Sequence, residues 1–185
     1  MIIVEGMDNS GKSTLAKHLA EKFGLEYLHS PSEYRNDSNR MISWAIEKML
    51  ERKYMPHRKP AVYDRFSPIS DRVYGPVLRG GTPYNDLAIG AMAVRLLKDV
   101  PHLIIYCRPN RERILNFGSR EQMDGVTSQA IKLLEEYDAL IGEMQLEGYD
   151  IITYNYEEPE DYKFVTSQIG LYIKQWERDD KHGLF

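Results

Sequence analysis

The sequence predicts an α/β domain in which a five-stranded parallel sheet carries helices on both faces. Three observations lead there. Five short apolar segments are separated by stretches of helical periodicity, so each strand joins the next through a crossover. The first apolar run is continuous rather than alternating, as a strand buried on both faces requires. That strand ends in a glycine-rich turn that opens directly into a helix, at the sheet edge where such folds bind ligands.

The first strand is Met1-Ile2-Ile3-Val4, stopping at Glu5. A helix follows the turn, with Leu15, Leu19, Ala20 and Phe23 at three- and four-residue steps and Gly24 closing it. Residues 25–28 form a short second strand. Asp37 or Ser38 caps a helix reaching about Tyr54, with Met41, Trp44, Ala45, the stem of Lys48 and Met49 near one face. Residues 60–63 form the third strand and deliver Asp64 and Arg65 at its carboxyl end. Residues 67–78 read as helix up to Gly80-Gly81, and residues 85–98 as one helix carrying Leu87, Ile89, Met92, Leu96 and Leu97. Residues 102–107 are the fourth strand, 110–117 a short arginine-bearing helix and 118–126 an exposed loop. A long helix over 127–146 ends near Gly148, residues 149–153 form the fifth strand and 158–176 the last helix. Residues 1–177 are expected to form one domain with a lid at about 116–126, and residues 178–185 a charged tail.

A chain of 185 residues suits a single domain. Its 24 lysines and arginines against 28 acidic residues give a net charge of −4, which disfavours a general nucleic-acid binder. One cysteine, Cys107, excludes an intramolecular disulfide, and it reads as a small core residue. No apolar run approaches the roughly 20 residues of a membrane span, and the opening one is too short for a signal peptide. A cytoplasmic protein with no membrane partner is the expectation. The histidines lack metal-ligand spacing.

The chemistry is concentrated in Gly6-Met7-Asp8-Asn9-Ser10-Gly11-Lys12-Ser13, which fits G-x-x-x-x-G-K-[ST] at every fixed position. Such a loop wraps its amides around an anion, and the helix that follows adds positive potential. Lys12 is expected to reach the outer phosphates of a nucleoside triphosphate and Ser13 to hold Mg²⁺, with Gly6, Asn9, Ser10, Gly11 and Thr14 completing the cradle. Asp64 and Arg65 stand at a strand's carboxyl end, where a carboxylate orients a metal or takes a proton and a guanidinium clamps a phosphoryl group. Arginines recur at Arg108, Arg111, Arg113 and Arg120, and a lid bearing them would exclude water and neutralise charge. Arg113 is assigned to the nucleotide and Arg120 to catalysis.

Over Met1 to Lys174 the chain resembles the thymidylate kinases, within the P-loop nucleoside monophosphate kinases. The residues that carry the likeness are Ile3-Val4-Glu5-Gly6-Met7-Asp8, Gly11-Lys12-Ser13-Thr14 and Tyr63-Asp64-Arg65-Phe66. The resemblance implies a P-loop kinase fold with a short lid, ATP and Mg²⁺ as cofactors, and phosphoryl transfer to dTMP or a related pyrimidine nucleotide. It implies that Asp8 approaches the acceptor sugar, that Asp64 attends the metal and that Arg65 binds phosphate. It further implies that Ser70 and Tyr74 line the nucleoside pocket and that Arg52 reads the base. Dimers are usual in that family, and residues 85–98 with the helix from 127 are surfaces that would pair. Two positions depart from the pattern. Ser30-Pro31-Ser32-Glu33 stands where Arg-Glu-Pro-Gly is common, leaving Arg35 as a substitute. Asp71 occupies a pocket position and can only accept hydrogen bonds, which leaves the base open.

Two other readings remain at this stage. A deoxynucleoside kinase, or a kinase of a hydroxymethylated base, would need a general base, for which Asp64 or Glu5 could serve. A non-catalytic nucleotide-binding module shares the loop, but the Asn-Lys-x-Asp signature of the GTPases is not found.

Overall fold

The computed structural model describes residues 1–34, 37–55, 57–116 and 124–181. Five parallel strands, β1 (Ile2–Glu5), β2 (Glu26–His29), β3 (Ala61–Asp64), β4 (Leu103–Cys107) and β5 (Ile151–Tyr154), lie in the order β2-β3-β1-β4-β5. β1 is central. Its neighbours β3 and β4 come from opposite halves of the chain, so the crevice beyond its carboxyl end is a topological switch point.

The continuous apolar run of β1 is explained by two cores. Ile3 points to one face with Tyr63, Ile104 and Tyr106, covered by α2 (Ser38–Tyr54), α3 (Ser67–Tyr74), α5 (Ala88–Lys98) and α7 (Ala130–Leu146). Ile2 and Val4 point to the other with Val62, Leu103, Ile105 and Cys107, covered by α1 (Lys12–Phe23) and α8 (Pro159–Lys181). Each fully buried side chain of this size contributes about 2 kcal/mol. Asp37 caps α2 by accepting from the Arg40 amide at 3.1 Å. On the first face Trp44 packs 6.2 Å from Tyr63 and 6.0 Å from Phe66, centroid to centroid.

Several boundaries differ from the sequence expectation, each for a local reason. The helix expected over 85–98 is two helices, α4 (Pro83–Asp86) and α5, separated by extended backbone at Leu87. Gly90 makes this possible: a Cβ there would fall 2.6 Å from Tyr84 Cα and into Pro83 O, so only glycine lets the two helices touch. The helix expected to run to residue 78 ends at Tyr74 and continues as a wide π turn over Gly75–Arg79. The short helix before the lid is α6 (Arg111–Leu115), and α7 begins at Ala130 because residues 124–129 form turns. α8 continues to Lys181, into the stretch read as tail, with Asp179 accepting from Gln175 and Arg178 donating to Gln175 along its surface. The lid assignment falls largely on residues 117–123, outside the described residues, as do Arg120 and Arg35. Among the described residues no helix is long and apolar enough to cross a membrane.

Candidate active site

The loop from Gly6 to Gly11 lies at the carboxyl end of β1 and leads into α1. Gly6 has φ +146°, and a Cβ there would fall 2.7 Å from both Cys107 O and Ser10 Oγ, so the loop can close only with glycine. Lys12 is nearly buried, its ammonium 3.3 Å from Met7 O and 3.6 Å from Asp8 Oδ1. Burial above all, and then the Arg65 charge, lower its pKa to about 8 against the opposing carboxylates of Asp8, Asp64 and Glu5. The lysine is therefore poised for an anion that would restore its charge. Ser13 and Thr14 open α1, Ser13 half-buried and Thr14 exposed.

Arg65 is a non-glycine residue at φ +67°, a conformation costing about 1–2 kcal/mol. Two bonds impose it. The Arg65 amide donates to Val4 O at 3.0 Å, and the Phe66 amide donates to Glu5 Oε1 at 2.6 Å. The result turns the guanidinium back toward the loop, where it donates to Asp8 Oδ1 and, at 3.1 Å, to Tyr74 Oη. The guanidinium carbon also stands 4.8 Å from the Tyr74 ring centroid. Tyr74 closes the triangle, donating to Asp8 Oδ2 at 3.1 Å and accepting from the Asp8 amide at the same distance. Burial works against the Asp8 carboxylate, but Arg65 and Lys12 more than offset it and hold its pKa below the usual range. Asp8, Lys12, Arg65 and Tyr74 are thus one charged cluster.

Asp64 is almost fully buried. Its Oδ2 accepts from Tyr27 Oη at 2.7 Å, while Oδ1 is buried with no hydrogen-bond partner among the described residues. Ser10 Oγ is likewise buried without one. An orphaned carboxylate oxygen next to a phosphate-type loop fits the hard oxygen ligation that Mg²⁺ prefers, and the Ser13 hydroxyl is of the same donor class. Among the described residues no cluster of three His, Cys, Asp or Glu could bind a metal without such help.

Glu5 is fully buried and fully engaged: beyond Phe66, its Oε2 accepts from the Gly6 amide at 3.3 Å and from Tyr137 Oη at 3.2 Å. Burial raises its pKa to about 7 in spite of these bonds. It ties the loop to the Asp-Arg turn, and no face of it is open to a substrate hydroxyl.

Asn9, also at positive φ, reaches the far side of the loop, where its amide nitrogen lies 2.8 Å from Arg113 O and 2.9 Å from Asn116 O. The Arg113 side chain is exposed and donates to Glu157 Oε1 at 3.1 Å. Arg108 pairs bidentately with Asp138 at 2.8 and 2.9 Å, and Arg111 lies 3.6 Å from Glu135, so neither faces the loop as an unpaired cation.

Three other assignments stand differently in three dimensions. Arg52 does not join the cluster. It is buried near the start of β1, donating to Arg58 O at 2.8 Å with Trp176 6.0 Å away. It interacts with Tyr172, which accepts from the Met1 amine, so the length of β1 separates it from the loop. Asp71 has both oxygens engaged, one by Arg79 and one by Thr82 Oγ1 at 2.8 Å, and so braces the π turn rather than presenting an open acceptor. Ser70 is buried beside Tyr74 on α3 and bonds back to Phe66 O at 3.4 Å.

A cavity of about 400 Å³ opens beside the loop, between α1 and α8, lined by Gly11, Thr14, Leu15, His18, Tyr156 and Tyr162 among others. Asn9 also borders it, and of its lining residues Asn9, Gly11 and Thr14 belong to the expected cradle. Tyr156 follows β5 at the same sheet edge as Asp64, so the strand-end argument that selected Asp64 applies to it equally.

At the level of sequence, no protein-family model and no curated protein matches the chain. In three dimensions it resembles solved kinases and their relatives. The YorR protein of Bacillus subtilis, solved in complex with phosphorylated GDP, superposes with a TM-score of 0.62 at 15% identity, over 96% of this chain and 97% of that one. Deoxyadenosine kinase from M. mycoides with bound dATP gives 0.61 at 16% identity, over 91% and 98%. A thymidylate kinase from Ehrlichia chaffeensis gives 0.49 at 15% identity, over 94% and 97%. At such identities the likeness is one of fold. The chain has the α/β P-loop kinase fold, a five-stranded parallel sheet with helices on both faces.

Proposed function

We propose that the protein is an ATP- and Mg²⁺-dependent phosphotransferase acting on a deoxynucleoside monophosphate, with dTMP or a related pyrimidine nucleotide as acceptor and the diphosphate as product. The observation that carries this reading is the cluster of Asp8, Lys12, Arg65 and Tyr74, in which the buried Lys12 and the half-buried Arg65 meet on one carboxylate at the mouth of the loop. Lys12 and the loop amides would hold the donor's outer phosphates. Arg65 would exchange Asp8 for the acceptor's phosphate and bring that phosphate's oxygen into line with the donor's terminal phosphorus. The new O–P bond forms as the bond to the leaving diphosphate breaks, and the acceptor needs no general base because it is already anionic. A bound Mg²⁺ would neutralise charge between the donor phosphates, with Ser13 and Asp64 as the groups that would hold it. Asp8, released from Arg65, would be left to meet the acceptor sugar beside Tyr74 and Ser70. The cavity between α1 and α8, continuous with Gly11 and Thr14, offers room for the donor's nucleoside. Arg113 and Arg120 complete the proposed set as charges near the donor. A single domain over residues 1–177 working in the cytoplasm, and pairing as a homodimer, belongs to the same proposal.

One observation favours a second reading. Asp64 Oδ1 is unpartnered among the described residues, and a carboxylate so placed could take a proton from a nucleoside hydroxyl. The engagement of Glu5 on all sides removes the other base that this reading could use. The two are separated by assaying ATP and Mg²⁺ with thymidine, deoxycytidine, deoxyguanosine and hydroxymethyl-deoxyuridine monophosphates beside the corresponding nucleosides. Turnover of nucleosides alone would overturn the monophosphate assignment. Within it, Arg65→Ala is expected to lower kcat/KM by about 100-fold or more while the circular dichroism spectrum is kept, because a charge-assisted bidentate contact is lost in the transition state. Unimpaired turnover in that variant would remove Arg65 from the mechanism.

A further inference from the structure

The amino-acid motif requires nothing at Asn9 except a residue that tolerates the loop, yet its side-chain amide lies against three backbone carbonyls of another element. The backbone sits at φ +68°, where asparagine is among the few residues with a side chain that settle readily. The amide nitrogen lies 2.8 Å from Arg113 O, 2.9 Å from Asn116 O and 3.4 Å from Ile114 O. These carbonyls close α6, a five-residue helix, and among the described residues only Arg113 O of these receives a backbone bond, from the Asn116 amide at 3.3 Å. α6 is fixed in turn at its other end. Glu157 Oε2 accepts from the Asn110 amide at 3.0 Å and Oε1 from Arg113 Nε at 3.1 Å. The residue before it, Tyr156, covers the loop at Gly11, where a Cβ would lie 3.0 Å from the ring. A closed ring of contacts, Asn9 to α6 to Glu157 to Tyr156 to Gly11, therefore braces the outer side of the cradle.

We propose that Asn9 is a positioning residue for the donor phosphates: by capping α6 with its side-chain amide, it holds the loop amides in their anion-receiving arrangement. This rests on the reading of the loop as the donor's phosphate site. The side-chain amide is engaged by the α6 carbonyls, and the residue borders the cavity beside Gly11 and Thr14, so its effect falls on donor affinity and not on the acceptor.

The test compares the wild-type chain with Asn9→Gly, which keeps the backbone conformation and removes the donor, and Asn9→Asp, which sets a carboxylate against the carbonyls. Calorimetry with the Mg²⁺ complex of a non-hydrolysable ATP analogue should give about tenfold weaker binding for Asn9→Gly, with the acceptor KM unchanged. Backbone amides of residues 111–116 should exchange faster in this variant with no nucleotide present. Asn9→Asp should bind more weakly still at pH 8 and recover on acidification to about pH 5, where the protonated carboxyl donates again. Wild-type affinity in Asn9→Gly, unchanged exchange over residues 111–116, or no recovery of Asn9→Asp at low pH would each overturn the role of Asn9 alone. Failure of the wild-type chain to bind the analogue would instead overturn the reading of the loop, and this role with it. If Asn9→Gly does not fold, the pH response of Asn9→Asp decides.

Discussion

Lys12 and Arg65 show how a few atoms set the chemistry of this crevice. Both are cations in a region where burial opposes charge, and each is kept company by Asp8. A lysine whose pKa has fallen to about 8 is partly neutral above that pH, and a triphosphate in the loop would raise it again. Nucleotide binding should therefore take up protons, little at pH 7 and a large fraction of one proton near pH 9. The dependence of calorimetric heats on buffer ionisation enthalpy measures this, and Lys12→Met should abolish the uptake along with most of the affinity. These residues were legible in the sequence because glycine spacing and a strand-end position are local signals. Arg52 was not, because a helix brings one end to the crevice and the other to the opposite edge of the sheet. Deciding which end is which needs the packing of α2 against β1 and α8. Asp71 misled for a related reason: its charge is visible in sequence, but its partners Arg79 and Thr82 are joined to it only by the π turn.

At the scale of elements, the strands were read to within about two residues and every long helix was found. The misses fall where a contact overrides periodicity. Apolar residues recur throughout 87–97, and nothing in their spacing marks Leu87 as extended; the decisive feature is the absence of a side chain at Gly90. Gly90→Ala would drive a methyl group into the backbone of Pro83 and Tyr84, and should cost at least about 3 kcal/mol in urea denaturation. Gly142, in the middle of α7, provides the contrast, since a Cβ there meets nothing within 4 Å. Gly142→Ala should stabilise by about 0.5–1 kcal/mol through helix propensity alone. No loss at Gly90 would show that the approach of α4 to α5 tolerates a side chain, and a loss at Gly142 would show that a Cβ on α7 is not free of neighbours.

Across the whole molecule, stability and the site meet at Glu5. This carboxyl sits at the centre of the sheet's carboxyl edge and binds the loop, the Asp-Arg turn and Tyr137 of α7 together. Its pKa of about 7 lies above the unfolded value of 4.5, because burial disfavours the charge. The folded state therefore favours the protonated form, so its contribution is complete below about pH 4.5 and is lost as pH rises through about 7. The span corresponds to roughly 3 kcal/mol. His102, whose pKa burial lowers, acts in the opposite sense by losing stability as pH falls. The difference between wild type and Glu5→Gln in thermal denaturation isolates the carboxyl. Wild type should lose ground relative to the variant between about pH 5 and 7 and keep a constant offset above that. A flat difference would mean that Glu5 is ionised throughout.

The two tryptophans stand at opposite ends of this architecture, Trp44 against Tyr63 and Phe66 beside the Asp-Arg turn, Trp176 over Arg52. Their fluorescence thus carries two spatially separate reports, and exchanging Trp176 for phenylalanine leaves an intrinsic optical probe whose quenching follows events at one end of the sheet without any attached dye.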